Sequence, residues 1–237
     1  MTLIVTGGGR GIGAATARLA AEHGWDVCVG YRENAETAAR VVADCEALGR
    51  RAMAWRADVS SEADVEALFD QATERLGPVT GLVSNVGIVG PLARLRDFDV
   101  DRIRRVFDVN VLGAFLCARA AVRRMTAGGV IVNVSSRAAV LGSAGEYVDY
   151  AAAKAAVDTL TVGLAREVAA DGIRVNAVRP GLIDTEIHAP GRLASRAPGI
   201  PVGRVGQPNE VAEAIVWLLS PAASYVTGAL LDVSGGR

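Results

Sequence analysis

The chain has 237 residues, 51% of them apolar, enough for one full-sized core and ordinary for a sheet buried on both faces. Its formal net charge is -1, and the arginines are scattered rather than gathered into a tail or stripe, which speaks against a nucleic-acid partner. Three cysteines and two histidines, with no Cys-x-x-Cys pairing, provide neither a disulfide framework nor a metal-ligand set, so buried thiols and no metal are expected.

An apolar run over 2–6 reads as the first strand. It stops at T-G-G-G-R-G-I-G (6–13), and a helical pattern follows over 11–23. No cationic n-region or cleavage pattern accompanies that run, so a reducing, cytoplasmic setting is the simplest reading. Strand and helix patterns then alternate, with strands over 26–30, 52–57 and 81–84 and helices over 35–48 and 62–76. A long helical stretch covers 100–125, with a break near Asn110, because asparagine is unfavourable in mid-helix. A strand over 130–135, a helix over 150–170, a strand over 174–179, a helix over 209–219 and a strand over 229–233 complete the series. Repeated β-α-β units predict a mostly parallel sheet covered by helices on both faces, with no break for a second domain. No apolar stretch is long enough to span a bilayer. The segment 181–208, rich in Gly, Pro and Arg, reads either as a surface loop or, over 182–207, as a substrate lid at the sheet's C-terminal edge.

The glycine loop lies between a strand and a helix, the placement a dinucleotide site needs. Gly7 can make the tight turn, and Gly11 and Gly13 permit close approach of backbone, ligand and helix, with Gly9 and Ile12 alongside. The helix N-terminus then offers free N–H groups to a pyrophosphate. After the second strand, where an NAD-dependent protein usually places an acid, this chain has Tyr31 and Arg32. Arg32 and Arg10 suit a 2′-phosphate, so NADP(H) is favoured over NAD(H), although Glu33 follows at once. Asp58 can accept from an adenine amino group while Val59 packs on the ring; alternatively Asp58 caps the next helix. In S-N-V-G (84–87), Asn85, Val86 and Gly87 bring backbone close to the cofactor, or Asn85 mainly holds the turn.

Tyr150 and Lys154 are four apart in Y-A-A-A-K and therefore share a helix face. A tyrosine hydroxyl can exchange a proton with the oxygen of a carbonyl or alcohol, but its ordinary pKa is about 10 and needs a nearby cation to fall. Lys154 supplies that cation and can grip the nicotinamide ribose. Ser136 can hold the substrate oxygen, with Ser135 a competitor for the role. Asn110 can keep a helix distortion and a water that relays protons from Lys154, or fill a buried hydrogen-bonding position. Tyr147, without a lysine four residues on, reads as a pocket wall. His188 lies near a possible substrate entrance. Arg137 either meets an anionic substrate or contacts a neighbour, and Trp25, Trp55 and Trp217 look structural.

Taken in order, T-G-G-G-R-G-I-G at 6–13, Asp58, S-N-V-G at 84–87, Asn110, Ser136, Tyr150 with Lys154, and R-P-G at 179–181 resemble the short-chain dehydrogenase/reductase family over nearly the whole chain. The likeness is to 3-oxoacyl-reductase-like and sugar (glucose) dehydrogenase-like members. The resemblance implies a single-domain Rossmann fold over 1–237, with a doubly wound seven-stranded parallel sheet in the order 3-2-1-4-5-6-7. It implies a catalytic tetrad of Asn110, Ser136, Tyr150 and Lys154. It extends the cofactor contacts to Pro180 and Gly181, to the backbone around Ile183, and to the Thr185 hydroxyl near the nicotinamide amide or the phosphates. It also implies a homotetramer using the helices around 110–125 and 151–168. Two departures stand out. S-N-V-G replaces a pair of asparagines followed by Ala-Gly, and Ser136 precedes Tyr150 by fourteen residues, one more than in many relatives. The expected activity is NADP(H)-dependent hydride transfer to or from a small carbonyl or secondary alcohol. The alternatives are an NAD-dependent sugar or polyol dehydrogenase and, in another class, a non-catalytic dinucleotide-binding regulatory protein.

Overall fold

Thr2–Thr6 forms β1, buried along its whole length, so its side chains serve two cores at once. Leu3 and Val5 point to one face of the sheet and Ile4 to the other. The computed structural model describes residues 1–188 and 191–237. It continues with β2 (Asp26–Tyr31), β3 (Ala52–Arg56), β4 (Val79–Ser84), β5 (Val130–Val134), β6 (Arg174–Pro180) and β7 (Leu230–Val233). All are parallel, in the expected order β3-β2-β1-β4-β5-β6-β7.

Helices α1 (Gly11–Glu22), α2 (Ala35–Ala47) and α9 (Pro208–Leu219) cover the Leu3/Val5 face. Small residues of α1, among them Ala14, Ala17 and Ala21, bring it close to Val211, Ile215 and Leu218 of α9. The opposite face receives α3 (Glu62–Leu76), α5 (Gly113–Arg124) and α7 (Val148–Glu167), with Leu68, Phe69, Cys117 and Ile131 in its core. Each Leu, Ile or Val buried in these layers contributes roughly 1.5–3 kcal/mol. Ser61 caps α3 by accepting from Asp64 N, and Pro208 opens α9, where the Glu210 carboxylate accepts from Gln207 N at 2.7 Å.

The chain runs outward from β1 to β3, then returns to place β4 on the other side of β1. That reversal opens a crevice at the carboxyl ends of β1 and β4. The register pairs Thr6 with Gly30 and Val5 with Val83, so Gly7, Tyr31 and Asn85 emerge at the same edge.

The break expected near Asn110 is a π-helical turn, Asp108–Leu112, between α4 (Val100–Phe107) and α5. Two short helices occur where sequence patterning showed none, α6 (Ala138–Leu141) and α8 (Arg192–Arg196). Neither is long enough to display a helical period. Helix α7 starts two residues before Tyr150 and β4 two residues before Gly81, because the ends of both carry no distinctive pattern. Residues 189 and 190 of the expected lid lie outside the described residues. Among the described residues no helix is long and apolar enough to cross a membrane.

Candidate active site

The glycine turn depends on backbone geometry that few residues permit. Gly7 has φ +62, in the left-handed region. Gly13 faces the turn rather than the crevice: a Cβ on it would lie 2.3 Å from Gly7 O. Asn85 clamps the same turn, its Nδ2 donating to Thr6 O and Gly7 O at 3.1 Å each, while its backbone N–H donates to Thr6 Oγ1 at 3.0 Å. Asn85 thus pins the turn and also borders the crevice. Arg10 stands at the N-cap of α1 without a side-chain cap, leaving the first N–H groups of α1 facing the opening.

The crevice is part of a cleft of about 1150 Å³ that runs from the second strand to the end of β6. At one end it is lined by Gly7, Gly9, Arg10, Gly11, Ile12, Tyr31, Arg32, Asp58 and Val59. Asp58 does not cap α3; Ser61 does. The Asp58 carboxylate instead accepts from Ser60 N at 3.0 Å and Ser60 Oγ at 2.6 Å, and pairs with Arg32 Nε at 3.0 Å and Arg105 Nη2 at 3.6 Å. Burial works to raise its pKa, but the Ser60 hydrogen bonds and the two guanidiniums hold it below the ordinary carboxylate value. Three guanidiniums here, Arg10, Arg32 and Arg105, thus face three carboxylates, Glu33, Glu36 and Asp58. Asn34 and Thr37, which sequence reasoning missed, also line this end; Asn34 caps α2 by accepting from Thr37 N at 3.0 Å. Only the cap pattern could have pointed to them.

At the other end stand Val86, Gly87, Ser136, Tyr150 and Lys154, with Pro180, Gly181, Ile183 and Thr185 above them. Ser136 and Tyr150 line the cleft together, the Ser136 hydroxyl accepting from Ala138 N at 3.1 Å. Burial of the Tyr150 hydroxyl raises its pKa, with the neighbouring Ser136 and the Arg192 charge opposing the rise. Lys154 is buried, its Nζ donating to Val134 O at 2.8 Å and Val86 O at 3.4 Å. Burial pushes its pKa down to about 8, against the opposing charge of Asp158 one turn along α7. Nζ lies 5.7 Å from the centre of the Tyr150 ring. The two serines divide their tasks. Ser135 is buried and donates to Lys154 O at 3.1 Å, which leaves Ser136 as the hydroxyl beside Tyr150.

Asn110 does not line the cleft; it is buried beneath it. Its Nδ2 donates to Val106 O at 2.8 Å and Ile88 O at 3.0 Å, and its Oδ1 accepts from Ile88 N at 3.2 Å. It thereby joins the π-turn to the segment after β4. Gly87 fills the gap between, since a Cβ there would come within 3.1 Å of Asn110 Oδ1 and 3.2 Å of Lys154 Nζ.

Described residues of the segment 182–207 line the cleft. Ile183 forms a parallel bridge with Gly206, and Asp184 N donates to Gly206 O at 2.9 Å. Thr185 stands over Gly11, where a Cβ would meet its Cγ2 at 3.1 Å. Arg192 of α8 donates through Nη2 to Glu146 Oε2 at 2.7 Å and contacts His188 Nδ1 through Nη1 at 3.0 Å; Arg196 pairs with Glu146 Oε1. Glu146, Arg192 and Arg196 line the cleft and were missed, because only folding brings positions about 50 apart together. Tyr147 and His188 do line it, as expected from the sequence. Arg137 lines the cleft, but its guanidinium is engaged elsewhere. It holds the C-terminus, donating to Arg237 O at 2.6 Å and Asp232 Oδ2 at 2.7 Å. The three cysteines are buried, and burial raises their thiols to about 12, 11 and 12 for Cys28, Cys45 and Cys117. No cluster of metal-ligating side chains occurs among the described residues.

Comparison with known proteins agrees with this geometry. Residues 7–237 match the sequence model of a family described as enoyl-(acyl carrier protein) reductase. The chain is 51% identical to an uncharacterized oxidoreductase, YgfF, of Escherichia coli strain K12, over 99% of this chain and 98% of that protein. It is 47% identical to cis-4-hydroxycyclohexanecarboxylate dehydrogenase of Sinomonas cyclohexanicum, over 98% of this chain and 94% of that one. Among solved structures, a short chain dehydrogenase from Burkholderia cenocepacia J2315 in complex with NADP superposes with a TM-score of 0.95 at 37% identity, covering 99% of this chain and 96% of the other.

Proposed function

The chain belongs to the short-chain dehydrogenase/reductase family and is an oxidoreductase of alcohol and carbonyl groups, and on that premise we propose that it uses NADP(H) to interconvert a small ketone and its secondary alcohol. The observation that carries this reading is the convergence of Ser136, Tyr150 and Lys154 in one cleft with the glycine turn. The turn fits a pyrophosphate: Gly13 packs where a Cβ would strike Gly7 O, so the start of α1 lies against the turn with its N–H groups facing outward.

When bound, the nicotinamide supplies or accepts a hydride at its C4 carbon. The side chains handle the oxygen and its proton. The Ser136 hydroxyl orients the substrate oxygen beside Tyr150. In reduction, Tyr150 gives its proton to that oxygen; in oxidation it takes one back. Its raised pKa keeps the phenol protonated at neutral pH, the form reduction needs. Lys154, with a pKa of about 8, is mostly charged at pH 7 and eases formation of the phenolate after transfer. Asn110 keeps Gly87 and Ile88 in position and, with Lys154, supports the path by which Tyr150 regains its proton.

The preference for NADP(H) rests on Arg32, which with Tyr31 stands where an acid is expected for NAD, and on Arg10 of the glycine loop. Asp58 holds the Arg32 Nε at 3.0 Å and Glu33 lies 3.6 Å from its Nη1, so a 2′-phosphate would take the Nη edge in competition with Glu33. The three carboxylates at the same end favour the second reading, an NAD-linked sugar or polyol dehydrogenase, because a carboxylate accepts from a ribose diol. Titrating the protein with NADPH and NADH, followed by nucleotide fluorescence, separates the two. Tighter NADPH binding that Arg32→Ala abolishes supports the first, and equal or tighter NADH binding overturns it. We further propose that residues 1–237 act as one catalytic domain, with 182–207 as lid and a reducing, cytoplasmic setting that suits the three protonated thiols. The exposed apolar residues Leu112 and Phe115 on and before α5 support assembly as a homotetramer.

A further inference from the structure

Beyond Tyr150 the cleft changes character. Ile88, Leu141 and Tyr147 give it apolar walls, but its far rim is charged. There Arg192 and Arg196 share the single carboxylate of Glu146. His188 also stands at this rim: burial and the Arg192 charge lower its pKa against the pull of Asp184 and Glu146, and its Nδ1 sits 3.0 Å from Arg192 Nη1. Two guanidiniums at this rim thus share one directly paired carboxylate, with Asp184 acting on His188 beside them.

The two arginines are not equivalent. Arg192 is committed through both Nη atoms and lies over the Tyr147 ring, 5.3 Å from its centre. Arg196 pairs only with Glu146 among the described residues, and its side chain is 48% exposed on the lining of the cleft. A guanidinium carries five N–H donors in a rigid planar fork that matches a carboxylate. Most of those on Arg196 are uncommitted, while Glu146, itself pinned by Arg192, sets the direction in which the fork points. The arrangement is a cationic donor with a fixed base, in the cleft that also holds Ser136 and Tyr150 and the apolar Ile88 and Leu141.

We propose that the substrate is an oxo acid or hydroxy acid with an apolar body, and that Arg196, positioned by Glu146 and Arg192, receives its carboxylate. This rests on the reading of the site as one for ketones and secondary alcohols. It adds that the reacting carbon and the acid group lie at opposite ends of the substrate. A neutral sugar or a plain ketone would leave the Arg196 fork to Glu146 and solvent.

The test uses the full chain with NADPH and matched pairs of substrates: 4-oxocyclohexanecarboxylate and linear oxo acids, each beside its methyl ester. The readout is the ratio of kcat/KM for acid over ester. A charged hydrogen-bonded pair predicts a ratio of roughly ten or more in the wild type, falling toward one in Arg196→Gln. Arg196→Lys keeps the charge without the fork and is expected to fall between. If Arg196 merely anchored the lid, its loss would slow acid and ester together and leave their ratio unchanged, which would overturn the proposal. A wild-type ratio near one, or turnover of neutral ketones alone, would overturn it too while sparing the wider reading. Failure of every ketone, neutral or acidic, would instead bring down the reading on which it rests.

Discussion

Replacing Gly13 by alanine separates a glycine that shapes the cofactor site from one that merely lines it. The new Cβ would lie 2.3 Å from Gly7 O, 2.6 Å from Asn85 Nδ2 and 3.0 Å from the Gly7 carbonyl carbon. A carbon–oxygen contact is normally no closer than about 3.3 Å, so the overlap is about 1 Å. Gly7 O cannot swing aside, because Asn85 Nδ2 already holds it at 3.1 Å. The start of α1 must move instead. Overpacking of this kind costs about 3 kcal/mol, and the better helix propensity of alanine returns about 1 kcal/mol of it. A net loss of about 2 kcal/mol lowers Tm by roughly 4–8 °C in a chain of this size. The same displacement of the helix N-terminus, by about 1 Å, should weaken NADPH binding by roughly tenfold or more. Gly163→Ala is the control. It lies inside α7 with nothing within 4 Å of an ideal Cβ, so alanine there should raise stability by roughly 0.5–1 kcal/mol. Thermal unfolding and fluorescence titration of both variants decide the matter. Gly13→Ala melting at the wild-type temperature with undiminished NADPH affinity would refute the reasoning.

Three further outcomes follow from the same geometry. Lys154→Met should abolish turnover yet stabilise the fold by about 3 kcal/mol at pH 7, since the folded chain bears the burial of a charge whose pKa falls from 10.5 to about 8. The sign follows from proton binding: between pH 8 and 10.5 the unfolded chain holds more protons, so wild-type stability from this group rises with pH and the advantage of methionine fades. Melting temperatures across that range check it, and a constant difference between the two proteins would contradict it. Asn110→Ala leaves the N–H and C=O of Ile88 without their side-chain partner and should cost roughly 2–4 kcal/mol, with a fall in kcat that Asn110→Asp only partly restores; urea unfolding and kinetics measure both. Asp26→Ala strips a buried carboxylate from Arg50 and Arg51, to which it is bonded at 2.7 to 3.1 Å, and should cost roughly 3–5 kcal/mol without changing the cofactor preference. Although burial works to raise the Asp26 pKa, its Arg51 and Arg50 partners lower it, so wild-type stability from this group is lost as pH falls below 3.8, a loss the variant would not show in acid unfolding.

Much of the fold was legible because a parallel sheet buried on both faces announces itself in uninterrupted apolar strands. L-I-V-T and V-I-V-N-V are such strands, and each is buried throughout. The break at Asn110 was legible as an unfavourable residue, but its form was not. A π-turn satisfied through Ile88 depends on a partner 22 residues away. The positions lining the cleft were legible wherever motif residues sit at strand ends. They were not legible on α8, which has no pattern of its own and takes its role from Glu146.

The sequence by itself determined the alternation of strands and helices, the glycine turn, and the shared face of Tyr150 and Lys154. Each of these follows from geometry within a few residues of chain. Only the tertiary structure decided that Ser135 serves the helix backbone while Ser136 stands beside Tyr150, that Asp58 answers to Arg32 and Arg105 rather than to a helix cap, and that Arg196, paired with Glu146, comes to line the cleft. The physical reason is common to all three. A polar side chain in a folded protein is claimed by the partners that packing brings within about 3 Å, and those partners come from crossovers that no local pattern encodes.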